Sequence, residues 1–386
     1  MGEAQRLSPD EQLRLAREQF EEAEDLTVAV EEEFALLDPQ TLGLVNRFEE
    51  LQEASAGTEL EGSLVGELIA SEVEIRTGRC DSFAEAAARV VERRAQLLRI
   101  ADGLGISLCG AGTHPWSPWQ EQRIIDTPHY RRNDEILRYV VWRNNSFGLH
   151  VHTGIQGADR AVRVASALRN YLPEVLALSA SSPFVEHCFT GLHSARTEIF
   201  TKFFPRCGVP DAFESWADYE RYVRWLFASG SISEHTQIWW SVRPHLAFPT
   251  VEIRICDGQP QVAEAQALAA LLYSLTARIA RALDEGEPLR SFQHHLIEEN
   301  FWRAIRYGLA GDLIDLGSFP EPRVRPARAA LEELIEWVLP VAEELGAAPY
   351  LAVPAATPAE RQIARYEAGA SLQEIYADEV LEPARV

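Results

Sequence analysis

The sequence predicts an α+β fold, in which a curved antiparallel sheet of about six strands carries helices on its convex face. The predicted strands have charged residues along one face, whereas strands buried in a parallel sheet are apolar almost throughout. Neither glycine-rich phosphate loop of the doubly wound folds, GxxxxGKS/T or GxGxxG, occurs in the 386 residues. A sheet with an open, polar, concave face therefore fits better than a doubly wound one.

The first elements follow from hydrophobic spacing and stop signals. Residues 27–37 are apolar and β-branched around a run of acids and end before an Asp-Pro pair, which predicts a strand. Residues 68–78 predict a second strand. A helix capped by Asp81 or Ser82 follows and runs to about residue 104, because its apolar side chains recur at helical spacing.

The same periodicities predict the rest of the chain. Strands are expected at residues 106–114, 147–155, 237–244 and 250–257, the last two as a hairpin. Helices are expected at about residues 130–142, 158–179, 218–227 and 262–283, and in a tail with a proline-rich break at 319–322. Residues 194–210, rich in Phe, Pro and Arg, are predicted to be irregular.

The chain has no internal repeat and no linker that would divide it. We therefore expect one catalytic domain over residues 26–386, with a helical C-terminal part. Residues 1–25 are predicted to be a polar N-terminal extension, either a surface helix that begins at Ser8 and Pro9 or a partly disordered segment.

Composition and charge narrow the function. A formal net charge of -23 argues against nucleic-acid or anionic-membrane partners, which require basic patches, but a nucleotide needs only a few local cations and a metal. Five widely spaced cysteines form no CxxC pair and fit reduced thiols better than disulfides or a zinc site. Neither a signal core nor a bilayer-length apolar run occurs. We expect a cytoplasmic protein that acts on small molecules.

Acids in the middle of apolar strands are the main functional signal. Glu31 and Glu33 share one face of the first strand and lie about 7 Å apart. Such a cluster is costly unless a cation neutralises it, and carboxylate oxygens suit Mg²⁺ or Mn²⁺. An edge strand whose acids face water is the alternative.

Other segments place further polar side chains among apolar neighbours: Glu74, His150, His152, Arg196, Arg243, Glu252 and Arg254. Acids and an imidazole on separate strands can hold two or three divalent cations. Guanidiniums beside them are explained if phosphate oxygens lie between the arginines and the metals. Such a site could transfer a phosphoryl group from ATP to a carboxylate, giving an acyl phosphate that an amine can attack.

Five motifs, in order, resemble the glutamate–cysteine ligase type 2 family of bacterial carboxylate–amine ligases: Val30-Glu31-Glu32-Glu33-Phe34, Glu74-Ile75-Arg76-Thr77-Gly78, Gly112-Thr113-His114-Pro115-Trp116, His150-Val151-His152-Thr153-Gly154, and Arg243-Pro244 with Thr250-Val251-Glu252-Ile253-Arg254 and Asp257. The resemblance runs from about residue 26 to 350. It implies a glutamine synthetase-like catalytic sheet that binds ATP and divalent metals. It also implies γ-glutamyl amide products, weak glutamate–cysteine ligase activity, and a dimer as the family expectation.

Carried over residue by residue, the resemblance implies metal ligands at five positions: Glu31, Glu33, Glu74, His150 and Glu252. Arg254 would contact the transferring phosphoryl group, and Arg196 and Arg243 would hold an ATP phosphate or the substrate carboxylate. We further expect His152 to support a phosphate and His114 to contact substrate.

One position departs from the family pattern, because Ser241 stands where many members have Asp, which weakens the case for cysteine as acceptor. Two rival functions share the motifs. A guanidino-type kinase would use the same metal and phosphate residues. A catalytically silent nucleotide- or metal-binding protein is the other rival, and the intact set of site residues argues against it.

Overall fold

The computed structural model describes residues 7–381 as a layer of helices packed on one main sheet. In chain order the strands are β1 (Val28–Leu37), β2 (Leu64–Val65), β3 (Glu72–Arg76), β4 (Ser107–Cys109), β5 (Gly148–Gly154), β6 (Phe184–Val185), β7 (Cys188–Phe189), β8 (Cys207–Gly208), β9 (Trp239–Trp240), β10 (Val242–Pro244), β11 (Thr250–Asp257), β12 (Asp312–Ile314) and β13 (Val324–Pro326). The α-helices are α1 (Pro9–Glu21), α2 (Phe48–Ser55), α3 (Phe83–Gly103), α4 (Pro128–Leu137), α5 (Tyr139–Trp142), α6 (Ala158–Leu168), α7 (Leu172–Ser179), α8 (Ala195–Phe203), α9 (Trp216–Ala228), α10 (Val262–Glu285), α11 (His294–Tyr307), α12 (Ala327–Glu344), α13 (Pro358–Glu367) and α14 (Leu372–Tyr376).

The main sheet has seven strands and confirms the predicted fold class. Its order is β10-β11-β5-β1-β3-β2, and β4 pairs with the C-terminal end of β1. All pairings in this sheet are antiparallel, including the predicted hairpin of β10 and β11. Within residues 7–381, no helix combines the length and apolarity needed to cross a bilayer.

Alternation along β1 decides what each face of the sheet contacts. Val30 joins a hydrophobic core with residues of α6, α7 and α10, and Phe34 joins a second core with residues of α3. Glu31 and Glu33 lie on the opposite face and line a cavity there. Helices α3, α6, α7 and α10 therefore pack on one face of the sheet, and the other face is polar where Glu31 and Glu33 enter the cavity.

The strand register brings the candidate residues together. Glu31 pairs with Arg76 on β3 and with His150 on β5. His152 pairs in turn with Glu252 on β11. Four neighbouring strands thus present their polar side chains to one cavity.

Of the two alternatives for the N-terminal segment, the structure shows the helix, α1, and it begins with a capping box. Ser8 caps the helix by accepting from the backbone N–H of Glu11, and Pro9 occupies the first turn. Leu13 and Phe20 are fully buried in the core that includes α6 and α10. This amphipathic helix therefore packs on the body of the protein through its apolar side.

The prediction of an irregular segment at 194–210 was wrong, because this segment contains α8. Ser194 caps the helix by accepting from the backbone N–H of Thr197. An arginine and an aromatic side chain on the inner side of this short helix take the place of the usual apolar stripe. Arg196 and Phe200 line the cavity as a result.

Three other boundaries differ from the predictions. The second strand is shorter than 68–78, because Leu68 and Ala70 bond to the loop at residues 123–125 instead of to a strand. The helix at 130–142 is interrupted at Arg138, whose φ is +50°. The helix at 158–179 is interrupted by a 3₁₀ turn just before Pro173.

Candidate active site

The cavity on the polar face of the sheet has a volume of about 270 Å³. Strands β1, β3, β5 and β11 form its floor, and α4, α5 and α8 contribute the opposite wall. The charged side chains that line it are Glu31, Glu33, Glu67, Glu72, Glu74, Glu252, Arg76, Arg196, Arg243 and Arg254. Six carboxylates therefore face four guanidiniums, and the balance is negative.

Two groups of side chains have the composition and spacing of cation sites. Glu31, Glu74 and His150 form one group, and Glu31, His152 and Glu252 form the other. Within each group the potential ligand atoms lie within 4.8 Å of one another. Carboxylate oxygens with one imidazole fit a divalent cation such as Mg²⁺ or Mn²⁺. Glu31 belongs to both groups.

Buried and closely spaced carboxylates on β3 and in the segment before it have raised pKa values. Burial, together with neighbouring carboxylates, raises the pKa of Glu72 and of Glu74 well above the ordinary value. Burial and the charge of Glu33 raise the pKa of Glu67 to about 7. A bound cation would relieve this repulsion, so the residues present fit the divalent metal that the sequence implies.

Glu252 has the opposite environment. Arg243 Nε lies 2.7 Å from its carboxylate, and Arg254 forms a second ion pair with it. Although burial opposes ionisation, the charges of these two arginines hold the pKa of Glu252 well below its ordinary value. This end of the cavity thus combines a carboxylate with two guanidiniums, as a site for phosphate and metal requires.

The two histidines of β5 differ in their partners. His152 Nδ1 lies 2.9 Å from Thr250 Oγ1, and its buried Nε2 has no hydrogen-bond partner among residues 7–381. Burial opposes protonation of His152, but the charges of Glu31 and Glu252 raise its pKa. Burial and the charge of Arg254 lower the pKa of His150, which favours the neutral imidazole that a metal site requires.

The match to a family model decides which family these residues represent. The model for glutamate–cysteine ligase family 2 matches residues 27–375. This range includes both potential metal groups and both arginines that pair with Glu252. The chain belongs to this family. Membership confirms the resemblance seen in the motifs and the predicted enzyme class, a carbon–nitrogen ligase.

Curated relatives cover most of the chain. A protein of Rubrobacter xylanophilus, provisionally named glutamate–cysteine ligase 2-3, is 43% identical over 320 residues, which is 83% of this chain and 85% of that protein. A protein of Solibacter usitatus, provisionally named glutamate–cysteine ligase 2, is 39% identical over 321 residues, 83% of this chain and 82% of that protein. The similarity therefore covers more than four fifths of this chain.

Solved structures agree in fold. The crystal structure of glutamate–cysteine ligase from Francisella tularensis in complex with AMP has a TM-score of 0.67 at 13% identity, over 94% of this chain and 88% of that one. A bifunctional glutathione synthetase from Pasteurella multocida has a TM-score of 0.62 at 13% identity, over 97% of this chain and 53% of that one. At this low sequence identity, the structural similarity shows that this member of glutamate–cysteine ligase family 2 shares the fold of these two proteins.

Most predicted site residues of this family member meet in the cavity, and Arg196 reaches it from α8. Its guanidinium lies 3.9 Å from Asp257 and donates to the carbonyl oxygen of Ile255. A Cβ at position 148 would collide with this guanidinium, so glycine at the start of β5 makes the position possible. Arg196 Nε is buried without a hydrogen-bond partner among the described residues.

Glu33 lines the cavity but is in neither potential metal group. One of its carboxylate oxygens accepts from the backbone N–H of Gly148, and the other lies 3.6 Å from His150 Nε2. Its predicted role as a ligand stays a prediction.

The structure does not bring His114 into the cavity. Its Nε2 lies 2.8 Å from the carbonyl oxygen of Leu42, and its Nδ1 accepts from the backbone N–H groups of Trp116 and Ser117. Burial lowers its pKa to about 4. Both ring nitrogens are occupied by backbone groups, so we do not include a substrate contact of His114 in the function proposed below.

Ser241, where many family members have Asp, is buried and does not line the cavity. Its backbone N–H donates to Gly208, and its carbonyl accepts from Arg254. The position therefore holds the end of the β10–β11 hairpin against β8.

Three charged residues of the cavity were not among the predicted site residues: Glu67, Glu72 and Arg76. Period-two alternation places Glu72, Glu74 and Arg76 on one strand face, so this signal could have identified two of them. Arg76 Nε lies 3.3 Å from Glu31 and pairs with Glu74. Glu67 lies outside any strand, and its position depends on how residues 64–70 cross the sheet edge, which the sequence pattern does not reveal.

Proposed function

We propose that this protein is an ATP-dependent carboxylate–amine ligase that joins glutamate to an amine through an acyl phosphate. The observation that carries the proposal is the contact of Glu252 with Arg243 and Arg254 beside Glu31 and His152. It puts potential metal ligands next to guanidiniums that suit phosphate oxygens. Membership of the glutamate–cysteine ligase family 2 supports the same reaction class.

A second cavity supports the use of a nucleotide. It has a volume of about 280 Å³, is mainly apolar, and shares Glu31, Arg76, His152 and Phe248 with the first cavity. Segment 27–30 and the turn before β11 form most of its wall. A flat purine fits such a pocket, and its triphosphate would then extend over Glu31 and Glu252. We place the base of ATP here.

In the first step, an oxygen of the substrate carboxylate bonds to the γ-phosphorus and the bond to the β-phosphate oxygen breaks, releasing ADP. Arg254 and Arg243 would stabilise charge on the phosphoryl oxygens, and Glu31, Glu74, His150, His152 and Glu252 would hold divalent cations. When bound, Mg²⁺ or Mn²⁺ would neutralise negative charge on the phosphates. Arg196 would hold the second carboxylate of glutamate.

In the second step, the amine nitrogen bonds to the carbonyl carbon, the carbon–oxygen bond to phosphate breaks, and inorganic phosphate leaves. The nitrogen must also lose a proton, for which the crowded carboxylates of the cavity are suitable acceptors. The helices of the opposite wall limit the access of water, which would otherwise hydrolyse the acyl phosphate.

The test is ADP release with ATP, Mg²⁺ and glutamate, without and with a panel of amines, together with mass spectrometry of the products. We expect ADP that depends on both glutamate and an amine, and a γ-glutamyl amide of matching mass. A phosphorylated amine or guanidine without an amide would favour a kinase instead. An absence of ADP with every pair would contradict the proposal.

A further inference from the structure

One part of the lining of the main cavity is apolar. Six residues of its lining belong to a single hydrophobic cluster: Leu68, Tyr130, Val141, Phe200, Phe204 and Trp239. Phe200 and Phe204 have ring centroids 5.0 Å apart, and Phe204 meets Trp239 edge to face at 5.4 Å. We call these six side chains the aromatic end of the cavity.

The polar atoms at the aromatic end are almost all committed to other protein groups. The hydroxyl of Tyr130 donates to the carbonyl oxygen of Gly66 at 2.9 Å. The side-chain amide of Asn133 lies between His129 and Gln237. Thr236 lines the cavity too, and its buried hydroxyl has no hydrogen-bond partner among the described residues. The surface that the aromatic end offers to a ligand is therefore apolar apart from the hydroxyl of Thr236.

The arginines of the cavity limit how many carboxylates its ligands can carry. Arg76, Arg243 and Arg254 each form an ion pair no longer than 2.7 Å with a glutamate of the site. The carboxylate nearest to Arg196 is that of Asp257, at 3.9 Å, and three serine groups already donate to that carboxylate. Arg196 can therefore bind one more carboxylate. Glutamate itself supplies that carboxylate, in addition to the carboxylate that reacts.

From this geometry, and resting on the ligase function proposed above, we propose that the acceptor is a primary amine with an aromatic-sized apolar substituent and no carboxylate of its own. The aromatic end binds the substituent by removing it from water. An amino acid would instead place a second carboxylate in a cavity that has no uncommitted guanidinium for it, which is unfavourable for a buried charge.

The direct test compares 2-phenylethylamine, phenylalanine and methylamine as acceptors with ATP, Mg²⁺ and glutamate. The first two differ only by a carboxylate, and the third lacks the ring. We expect kcat/KM for 2-phenylethylamine to exceed that of each of the others by about tenfold or more. Equal or better use of phenylalanine, cysteine or methylamine would overturn the inference and leave the ligase function intact. Failure of every amine to give an amide would overturn both.

Two phenylalanines of α8 provide a matched pair of variants. Phe200 lines the cavity, whereas Phe203 is 42% exposed and does not. Phe200→Ala should lower the ratio of kcat/KM for 2-phenylethylamine to that for methylamine by about tenfold, because the lost contact serves only the ring. Phe203→Ala should keep the wild-type ratio. An unchanged ratio in a folded Phe200→Ala variant, verified by circular dichroism, would contradict the assignment of the aromatic end.

Discussion

Adjacent glutamates on the two faces of β1 lie in opposite environments. Glu32 points toward the helices and lies 2.6 Å from Arg94 Nη2 on α3. Arg94 also donates to the carbonyl oxygens of Gln259 and Pro260, so every charged group there has a partner. Both side chains are almost fully buried. This ion pair ties β1 to α3 and to the segment before α10.

On the other face, Glu31 and Glu33 enter a cavity in which six carboxylates meet four guanidiniums. Burial, together with the charges of neighbouring carboxylates, raises the pKa values of Glu67, Glu72 and Glu74. The comparison shows that burial alone does not distinguish a structural acid from a functional one. What distinguishes them is whether protein donors balance the charge or leave an excess for a ligand.

The largest expected effect is the loss of catalysis in Glu252→Gln. Removing this charge takes away a potential metal ligand and the ion-pair partner of Arg243 and Arg254, which we propose bind phosphate. We expect turnover of ATP to fall by about 1,000-fold or more, corresponding to roughly 4 kcal/mol. ADP release is the measurement, and Glu53→Gln on the exposed side of α2 is the matched control. Wild-type turnover in Glu252→Gln would exclude the assigned role.

Glu32→Gln should have the opposite consequence, a loss of stability with retained catalysis. The substitution leaves the guanidinium of Arg94 buried without its counter-ion, which costs about 3 kcal/mol in the free energy of unfolding. Urea unfolding measures this loss. ADP release per folded molecule should stay within about twofold of wild type. An inactive variant of unchanged stability would show that the two faces of β1 do not divide the roles in this way.

Arg254→Ala should lower kcat by about 100-fold while changing the KM for ATP much less, because the proposed role of this guanidinium is to stabilise the phosphoryl group in transfer. Steady-state kinetics with varied ATP would separate the two constants. Arg99→Ala, at an exposed position of α3, is the control. A large rise in KM with unchanged kcat would reassign Arg254 to binding of the ground state.

The smallest expected effect is a gain in stability. In metal-free protein, Glu72→Gln removes a carboxyl whose pKa burial and neighbouring acids raise, so we expect a gain of about 1 kcal/mol at pH 8. Because the folded state holds this proton more tightly than the unfolded state, wild-type stability falls as pH rises above the unfolded pKa. The gain should therefore shrink toward pH 5. Thermal unfolding with EDTA measures it, and a gain that is equal at both pH values would contradict the cause.

Much of the fold could be predicted because its signals are local. The alternation in β1 and β5, the Ser82 cap of α3 and the apolar spacing of α10 each need only a few neighbouring residues. These features also placed Glu31, His150 and Glu252 on separate strands of one sheet. Their meeting in one cavity then followed from the antiparallel order.

The rest depends on contacts between distant segments. Helix α8 has few apolar residues on one side, because Arg196 and Phe200 contact the cavity rather than a core. His114 follows Gly110 and Gly112 in the sequence, but its Nε2 lies 2.8 Å from the carbonyl oxygen of Leu42, 72 residues away. Glu67 enters the site through an irregular crossing. No local pattern distinguishes these cases.

The three consecutive acids of β1 also constrain how the sheet assembles. A slip of one residue in the pairing of β1 would exchange its two faces. Glu31 and Glu33 would then enter the helix layer, where Arg94 alone would face two carboxylates, and Glu32 would join the crowded acids opposite. Apolar residues around them could tolerate some misalignment, but these charges could not. The acids of β1 that make the site suitable for a cation therefore also disfavour a misregistered sheet during folding.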